Sequence, residues 1–417
     1  MARFLISLTF ILFFVFPAFA GDYQWISSFG HFGKNPGELN GPFDVAVDAA
    51  GDLYITDANN HRVQKWSSEG KPLLIWGKEG KGPGEFQKPT GIAIAPEGSV
   101  YVSDYFLDRV QKFTPDGKFL LKWGKNGKKD GELDSPSGVA VDSRGNVYVV
   151  DTYNHRVQKF SSDGRFILKW GEREKVNNVR SVLNFLWDEE LEGRFYYPAK
   201  IAVSPNDEIY VSDSYNNRVQ VFTSGGGFIR KWGGLGIWGG RFRVASGIVF
   251  DPAGNVLVAD FYNHRVQKFN SAGRYLDQFG SRGDKEGQFN GPVGLAVDTK
   301  GYVYVADFHH FLIQKFQNAK VENQSYGKYL LNQNNSYNAT GKNQKMGNLV
   351  FTRRKHTGMI SFIHVKWIKQ NKGVIKGSNL RLYYTCNRLR IFSYLQPIST
   401  PFSISFFILS MALLTVV

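Results

Sequence analysis

A ten-residue segment recurs six times along the 417-residue chain, and this repetition constrains the fold more than any other feature. Each copy starts with an aspartate and most continue into Arg-Val-Gln-Lys-aromatic, as in DTYNHRVQKF (151–160). Successive aspartates are 47, 47, 62, 47 and 47 residues apart. A fixed period of this length indicates an array of one supersecondary unit.

Within one period the hydrophobic residues follow the two-residue alternation of β-strands. In the third period, apolar segments at 137–142, 147–151, 156–160 and 165–171 are separated by turn sequences such as SRGN and SSDG. Four antiparallel strands joined by tight turns form one blade of a β-propeller. The chain is therefore predicted to be all-β, a six-bladed β-propeller of four-stranded antiparallel blades. The repeat cores lie at about residues 40–66, 87–113, 134–160, 196–222, 243–269 and 290–316.

The sixth period lacks a fourth strand, and the N-terminal region supplies a segment that could replace it. YQWISSFG (23–30) resembles RYLDQFG (274–280), the fourth strand of the fifth period. An N-terminal strand that completes the last blade would close the ring and leave no open sheet edge. We therefore expect the propeller to span residues 22–317, with residues 318–417 outside it.

The first twenty residues have the pattern of a secretory signal peptide. Arg3 precedes an apolar run at 4–16, and Ala18-Phe19-Ala20 resembles a cleavage site. The alternative is an uncleaved membrane anchor, since the run is barely long enough to span a bilayer. The cleavage pattern favours a signal peptide at 1–20 and an exported protein.

Most of the net charge of +15 lies in the C-terminal tail. Residues 317–417 contain fourteen Lys/Arg and one acid, or +13, which leaves 37 bases and 35 acids in the rest of the chain. Nucleic-acid binding by the propeller is not expected, because it needs a clustered basic surface. The tail ends in an apolar segment (402–417). The C-terminal tail as a whole is interpreted as a weak membrane anchor, a basic surface-binding tail or an unreliable C-terminal translation.

The Asp-x-x-Asn-His-Arg loops could be drawn as acid/base or metal clusters, but an enzyme needs one such constellation and not a ring of near-copies. We therefore interpret the repeated aspartates and arginines as structural, satisfying turn backbone and pairing charges. No catalytic residue, metal ligand or cofactor is predicted. The structural residues are Asp57, Asp104, Asp151, Asp213, Asp260 and Asp307, with Arg62, Arg109, Arg156, Arg218 and Arg265.

Ligand contacts are expected where the blades differ, because the repeat itself is scaffold. The positions after each repeated aspartate are variable and aromatic, and exposed aromatic residues around a concave rim suit a peptide, protein or sugar ligand. The alternative is that some of these rings pack between blades. The candidates are Tyr105, Tyr153, Tyr215, Tyr262, Phe308 and His309.

Two further candidates lie at the start of the innermost strands, where the other blades have glycine. Asp44 takes this position in the first blade and Lys200 in the fourth, and these blades face each other in a six-membered ring. The sequence thus predicts an acid opposite a base at the mouth of the central channel, on the same face as the aromatic loops. We favour the simpler interpretation, two solvated charges.

The units GPFDVAVDAAGDLYITDANNHRVQKW (41–66) and SPSGVAVDSRGNVYVVDTYNHRVQKF (135–160) resemble NHL repeats, which build six-bladed propellers. The resemblance covers all six units and implies diverse functions. We favour an exported binding module for a protein, peptide or glycan, without catalysis of its own. The alternative is a propeller-type lyase or lactonase that uses a metal in the central channel. The amidating lyase of this family holds zinc through histidines at innermost-strand starts, and none of those positions is histidine here.

A third implication of the resemblance is RNA binding or association with ubiquitin ligases, as in tripartite-motif proteins. This implication is weaker for this chain. A RING module needs several thiolates, and Cys386 is the single cysteine. The export signal and the nearly neutral propeller also argue against it.

Overall fold

The structure, a computed structural model, describes residues 22–174, 191–319, 349–352 and 364–367. The predicted signal peptide and the apolar C-terminal segment lie outside these residues. The chain divides into two units, 1–333 and 334–417. In the second unit the described part is one antiparallel pair, β25 (Leu349–Thr352) with β26 (His364–Trp367). No helix within the described ranges is long and apolar enough to cross a membrane.

Residues 22–174 and 191–319 form six four-stranded antiparallel blades, as predicted. Blades 1 to 3 contain β2–β5 (Pro42–Val47, Leu53–Asp57, Arg62–Trp66, Pro72–Trp76), β6–β9 (Pro89–Ile94, Val100–Asp104, Arg109–Phe113, Phe119–Trp123) and β10–β13 (Pro136–Val141, Val147–Asp151, Arg156–Phe160, Phe166–Trp170). Blades 4 to 6 contain β14–β17 (Lys200–Val203, Ile209–Asp213, Arg218–Phe222, Phe228–Gly233), β18–β21 (Ala245–Phe250, Val256–Asp260, Arg265–Phe269, Tyr275–Phe279) and β22–β24 (Pro292–Val297, Val303–Asp307, Leu312–Asn318).

The N-terminal strand β1 (Tyr23–Phe29) completes blade 6, which confirms the predicted closure. It pairs antiparallel with β24, in a register that runs from Tyr23 opposite Asn318 to Phe29 opposite Ile313. The sheet order is therefore β1-β24-β23-β22. Because β1 is the outer strand of the last blade, main-chain hydrogen bonds join the two ends of the propeller, and blade 6 has four strands like the other blades.

The burial of each strand explains its sequence pattern. The second strands are buried along their whole length, as in β11, because they lie between neighbouring blades. The fourth strands alternate half-buried and exposed residues, as in β13, because one face is in solvent. Each connection from a fourth strand to the next blade contains Gly-Glu, Gly-Arg or Gly-Gln followed by an apolar residue. This apolar residue is fully buried in every case: Leu39, Phe86, Leu133, Phe195, Phe242 and Phe289.

The innermost strands approach one another closely at their N-terminal ends. A Cβ on Gly91 would lie 2.3 Å from the carbonyl oxygen of Ser137, and one on Gly294 would lie 2.7 Å from Cα of Asp44, so glycine is required at both positions. Hydroxyl groups bridge neighbouring blades by donating to a carbonyl of the next one: Thr56 to Thr90, Ser103 to Ser137, Ser137 to Ala199, Ser212 to Ser246 and Ser246 to Val293. The ring therefore encloses a narrow central channel.

Candidate functional site

The sequence-predicted site residues lie on one face of the propeller, which we call the loop face. It is formed by the connections between second and third strands and by those from each fourth strand to the next blade. The antiparallel register places Pro136, at the start of β10, opposite Asp151 at the end of β11. The start of each innermost strand therefore opens onto the same face as the repeated Asp-containing loop.

In blade 3 the repeated Asp, Asn, Arg and Gln form a hydrogen-bonded cluster, which we call the loop joint. Asp151 is fully buried, and its Oδ2 accepts from Arg156 Nε at 2.7 Å, Asn154 Nδ2 at 3.0 Å and Gln158 Nε2 at 3.0 Å. Its Oδ1 accepts from the Asp134 amide at 2.7 Å. Burial raises the pKa of Asp151, and these hydrogen bonds oppose that rise by favouring the carboxylate.

The same Asp–Arg pair occurs in blades 1, 4 and 5. The Nε–Oδ2 distances are 2.7 Å for Arg62–Asp57, 2.7 Å for Arg218–Asp213 and 2.9 Å for Arg265–Asp260. Each arginine also donates to backbone carbonyls of the preceding loop, as Arg156 does to Lys128 and Glu132. These charged groups tie the third strand to the loop face, and their hydrogen-bonding capacity is taken up by that task.

Blade 2 departs from this arrangement. Leu107 replaces the asparagine of the joint, and Asp104 turns towards the amides of Gln87 and Lys88, at 2.8 and 2.9 Å. Arg109 still donates to loop carbonyls through its terminal nitrogens. Its buried Nε has no hydrogen-bond partner among the residues that the structure describes.

Blade 6 departs in a different way. Leu312 replaces the arginine, and His310 stands at the asparagine position. The His310 ring lies between two carboxylates, with Nδ1 2.8 Å from Asp307 Oδ2 and Nε2 3.0 Å from Asp284 Oδ1. Burial lowers the pKa of His310, but the charge of Asp307 and the hydrogen bonds with both acids outweigh it and raise that pKa above its usual value. His310, whose protonated form is favoured by the two carboxylates, thus takes the place that the arginine has beside the aspartate in blades 1, 3, 4 and 5.

Asp44 and Lys200 bind each other across the mouth of the channel. Lys200 Nζ lies 2.7 Å from Asp44 Oδ2, and it donates to the carbonyls of Thr90 at 3.2 Å and Phe43 at 3.3 Å. Both side chains are buried. The interpretation as two solvated charges is therefore wrong. Burial raises the pKa of Asp44 and lowers that of Lys200, and the mutual attraction of the pair opposes both changes.

Beyond this ion pair the channel is apolar. The lining of a cavity of about 240 Å³ includes at least one branched apolar residue from each blade, among them Val45, Ile92, Val139, Ile201, Ile248 and Leu295. The pair occupies the loop-face end of this cavity, so the charges of Asp44 and Lys200 are directed at each other and not at the solvent of the loop face.

Four tyrosines form a continuous surface on blades 2 to 4, which we call the tyrosine arc. The ring centroids are 6.1 Å apart for Tyr105–Tyr153, 5.2 Å for Tyr153–Tyr197 and 5.5 Å for Tyr197–Tyr215, with interplanar angles of 75°, 75° and 63°. Tyr153 and Tyr215 are 49% and 58% exposed. The structure therefore brings three predicted residues together and adds Tyr197, which the sequence analysis did not identify.

A buried histidine positions Tyr197 in the arc. The amide of Tyr197 donates to His155 Nδ1 at 3.1 Å, and the two rings meet edge to face at 4.6 Å. Burial and the nearby charge of Arg173 lower the pKa of His155, so the ring is neutral and can accept this hydrogen bond. Tyr197 itself has a left-handed backbone conformation, with φ of 47°.

The other predicted aromatic residues form a second group on blades 5, 6 and 1. Tyr262 is 53% exposed and contacts Phe261, which contacts His309 at 5.9 Å between ring centroids. Phe308 is half-buried against Phe43, whose ring lies 4.9 Å from Lys200 Nζ. Phe308 is thus an example of a ring that packs into the scaffold. Within the described ranges, no three His, Cys, Asp or Glu residues are placed to hold a metal ion.

The NHL repeat family matches residues 39–66, 133–160, 195–222, 242–269 and 289–316, which correspond to every blade except the second. A short segment is similar to the B-box type zinc finger protein ncl-1 of Caenorhabditis elegans, with 44% identity over 43 residues. That segment is 10% of this chain, and the match spans only 5% of the length of the curated relative.

Solved structures share the propeller at low sequence identity, which shows the fold alone. A Bacteroides thetaiotaomicron protein of unknown function has a TM-score of 0.52 and 16% identity, over 72% of this chain and 76% of its own. A gluconolactonase of Xanthomonas campestris has a TM-score of 0.50 and 13% identity, over 73% of this chain and 99% of its own. The repeats and the ring of six blades together identify the chain as an NHL-repeat six-bladed β-propeller.

Proposed function

We propose that the propeller is an exported peptide-binding module whose ligand lies on the tyrosine arc. The observation that carries this proposal is the exposure of linked tyrosine rings across three blades of the loop face. Tyrosine offers a large apolar contact area and a hydroxyl group at low conformational cost, which is why it is enriched in binding surfaces. The proposal of export rests on the signal-like sequence of residues 1–20.

The tilt of the tyrosine rings favours a peptide over a glycan. Neighbouring rings of the arc are inclined by 63° to 75° to each other. Successive sugar rings would stack best on coplanar aromatic faces, and none of the three neighbouring pairs of the arc is coplanar. Inclined rings instead form slots that accept side chains of an extended peptide, as in other sites with alternate side-chain pockets.

The charged residues of the loop face support binding in preference to acid/base chemistry. Asp151 and Arg156 satisfy each other within a joint, and Asp44 and Lys200 are paired at the channel mouth. The predicted alternative, a metal-dependent lyase or lactonase, stays a prediction. Metal analysis of the purified protein tests it, since a stoichiometric ion that supports an activity would overturn the binding-only proposal.

Selection of random displayed peptides on the full-length protein tests the proposal. Peptides enriched on the wild type are expected to lose about tenfold or more in affinity for the Tyr153→Ala/Tyr215→Ala variant, because central aromatic residues dominate such interfaces. Leu120→Ala/Ile167→Ala is the matched control. Both residues are exposed on fourth strands, away from the loop face.

Enriched peptides that bind the tyrosine variant as well as the wild type would show that the arc is not the binding surface. Binding of oligosaccharides that the tyrosine variant loses, with no enrichment of peptides, would replace the peptide by a glycan ligand.

A further inference from the structure

A cleft of about 430 Å³ opens in blade 2, where the loop joint departs from the repeat. We call it the blade-2 cleft, and its lining includes Lys81, Phe106, Leu107, Arg109, Lys122 and Lys125. The cleft adjoins the tyrosine arc, because the Phe106 ring lies 5.5 Å from that of Tyr105, the first residue of the arc. A ligand on the arc could therefore extend into the cleft without a break in contact.

The cleft has an apolar wall and a basic wall. Phe106, 57% exposed, and Leu107 form part of the first, and the exposed side chains of Lys81 and Lys122 belong to the second. Neither lysine has an ion pair within 4.0 Å in the part of the chain that the structure describes. Lys125, the third lysine, lies 3.5 Å from Glu132.

Asp108, which also lines the cleft, forms no ion pair with its lysines among the described residues. Asp108 Oδ1 accepts from the Ser135 amide at 2.7 Å, and its Oδ2 accepts from Asn126 Nδ2 at 3.1 Å. These two hydrogen bonds hold the carboxylate against the following loop. Lys81 and Lys122 thus remain available for a negatively charged ligand.

Arg109 adds a buried positive charge below the cleft. Its side chain is only 6% exposed, and its Nε lacks a hydrogen-bond acceptor among the described residues. In blades 1, 3, 4 and 5 the equivalent Nε donates to the repeated aspartate at 2.7–2.9 Å. A buried donor without an acceptor is costly, and the guanidinium cannot lose its proton. Asp104 and Glu85 still attract the charge of Arg109, but in the described part of blade 2 no carboxylate accepts a hydrogen bond from its Nε.

We infer that the blade-2 cleft binds an acidic side chain of a peptide that lies on the tyrosine arc, so that the preferred ligands are acidic peptides. This inference rests on the proposed function and makes it more specific. A cleft of this volume accommodates one or two side chains, and its apolar wall suits the methylene groups of glutamate. Its lysines and the charge of Arg109 match the carboxylate electrostatically.

Fluorescence anisotropy with two labelled peptides tests the inference on the full-length protein. One probe carries the segment Glu-Asp-Tyr-Glu-Asp, and the other carries the isosteric amides, Gln-Asn-Tyr-Gln-Asn. The acidic probe is expected to bind about tenfold more tightly at low ionic strength, and this preference should shrink as salt screens the lysines. Equal affinity of the two probes would overturn the inference.

Charge substitutions locate the binding to the cleft. Lys81→Ala/Lys122→Ala should remove most of the preference for the acidic probe over the amide probe. Lys71→Ala/Lys118→Ala is the matched control, because it removes the same charge from turns on the opposite face. A loss of preference in the control as large as in the cleft variant would mean that net charge, and not the cleft, attracts the probe.

Leu107→Asn tests the part played by Arg109. This change restores the joint residue of blades 1, 3, 4 and 5 and should bring Asp104 into contact with Arg109 Nε. The preference for the acidic probe over the amide probe is then expected to fall about threefold, while circular dichroism stays the same. An unchanged preference would remove Arg109 from the proposal.

Failure of this inference and failure of the proposed function give different results. If peptides depend on Tyr153 and Tyr215 but show no preference for acids, the cleft proposal fails and the peptide-binding function stands. If neither probe nor displayed peptide depends on the tyrosines, the function itself fails. Tighter, Lys81- and Lys122-dependent binding of heparin or of single-stranded RNA than of the acidic probe would overturn the choice of a peptide.

Discussion

Blades 2 and 3 each have four strands, and their third strands have the same sequence, Arg-Val-Gln-Lys-Phe. Their loop joints nevertheless differ. In blade 3, Asp151 receives hydrogen bonds from Asn154, Arg156 and Gln158. In blade 2, the replacement of asparagine by Leu107 leaves Arg109 Nε without a partner in the described structure. Neighbouring blades hold a deviating unit in place, because stability in a repeat array is shared between adjacent units. The repeat therefore provides stability, and its exceptions leave room for function.

The largest effect is expected from breaking the joint of blade 3. Asp151→Asn would place an amide group against Arg156 Nε and leave a buried guanidinium without its counter-charge, at a cost of about 3–5 kcal/mol. Asp104→Asn in blade 2 should cost clearly less, about 1–2 kcal/mol, because Asp104 accepts mainly backbone amides. Urea unfolding of the two variants measures the difference, and equal losses would show that the joints are energetically equivalent.

The period of the repeats was sufficient to predict the fold, and the deviations were harder to interpret. Residues 23–30 indicated how the ring closes, because they resemble a fourth strand. The position of Asp44 opposite Lys200 could also be predicted, because the first and fourth blades face each other in a ring of six. Their contact at 2.7 Å could not, since it depends on the width of the channel and on the reach of the lysine side chain.

Two features of the loop face were missed for different reasons. Tyr197 lies in the longer, 62-residue interval between Asp151 and Asp213 and does not stand after a repeated aspartate, so alignment of the copies could not place it beside Tyr153. The Nε of Arg109 that lacks an acceptor had a visible signal in the sequence, because DYFLDR (104–109) has leucine where four other copies have asparagine. The consequence of that change requires the three-dimensional joint, in which the asparagine amide bonds the same carboxylate as the arginine.

The next largest loss of stability is expected from breaking the Asp44–Lys200 ion pair, which occurs once in the molecule, whereas the Asp–Arg pair recurs in four blades. Lys200→Met should destabilise the fold by about 2–3 kcal/mol, less than the loss of Asp151, because Asp44 can be neutralised by protonation whereas an arginine cannot lose its charge. The penalty should shrink at lower pH for the same reason. Asp44→Asn/Lys200→Met should recover most of the loss in thermal unfolding, and a double variant as unstable as the single one would contradict this account.

Blade 6 extends the comparison to a joint whose positive charge depends on pH. The pKa of His310 in the folded protein is raised above its unfolded value, so its contribution is fully present below about pH 6.5 and is lost as pH rises through the folded pKa. At low pH this contribution should be about 1.5–2 kcal/mol, the range for hydrogen bonds to charged groups. The difference in unfolding free energy between wild type and His310→Asn should therefore fall between pH 5.5 and 8.5. A constant difference would exclude a protonated His310 in this joint.

The smallest effect should come from repairing blade 2. Leu107→Asn supplies the amide that bonds the aspartate in blade 3, where Asn154 Nδ2 lies 3.0 Å from Asp151 Oδ2. If Asp104 then pairs with Arg109 Nε, the protein should gain about 0.5–1.5 kcal/mol, because a buried donor is no longer unsatisfied. The same change in the preceding residue, Phe106→Asn, is the control and should give no gain. A loss of stability in Leu107→Asn would show that the apolar contacts of Leu107 matter more to blade 2 than the missing hydrogen bond, and that its joint is not simply an incomplete copy of the joint in blade 3.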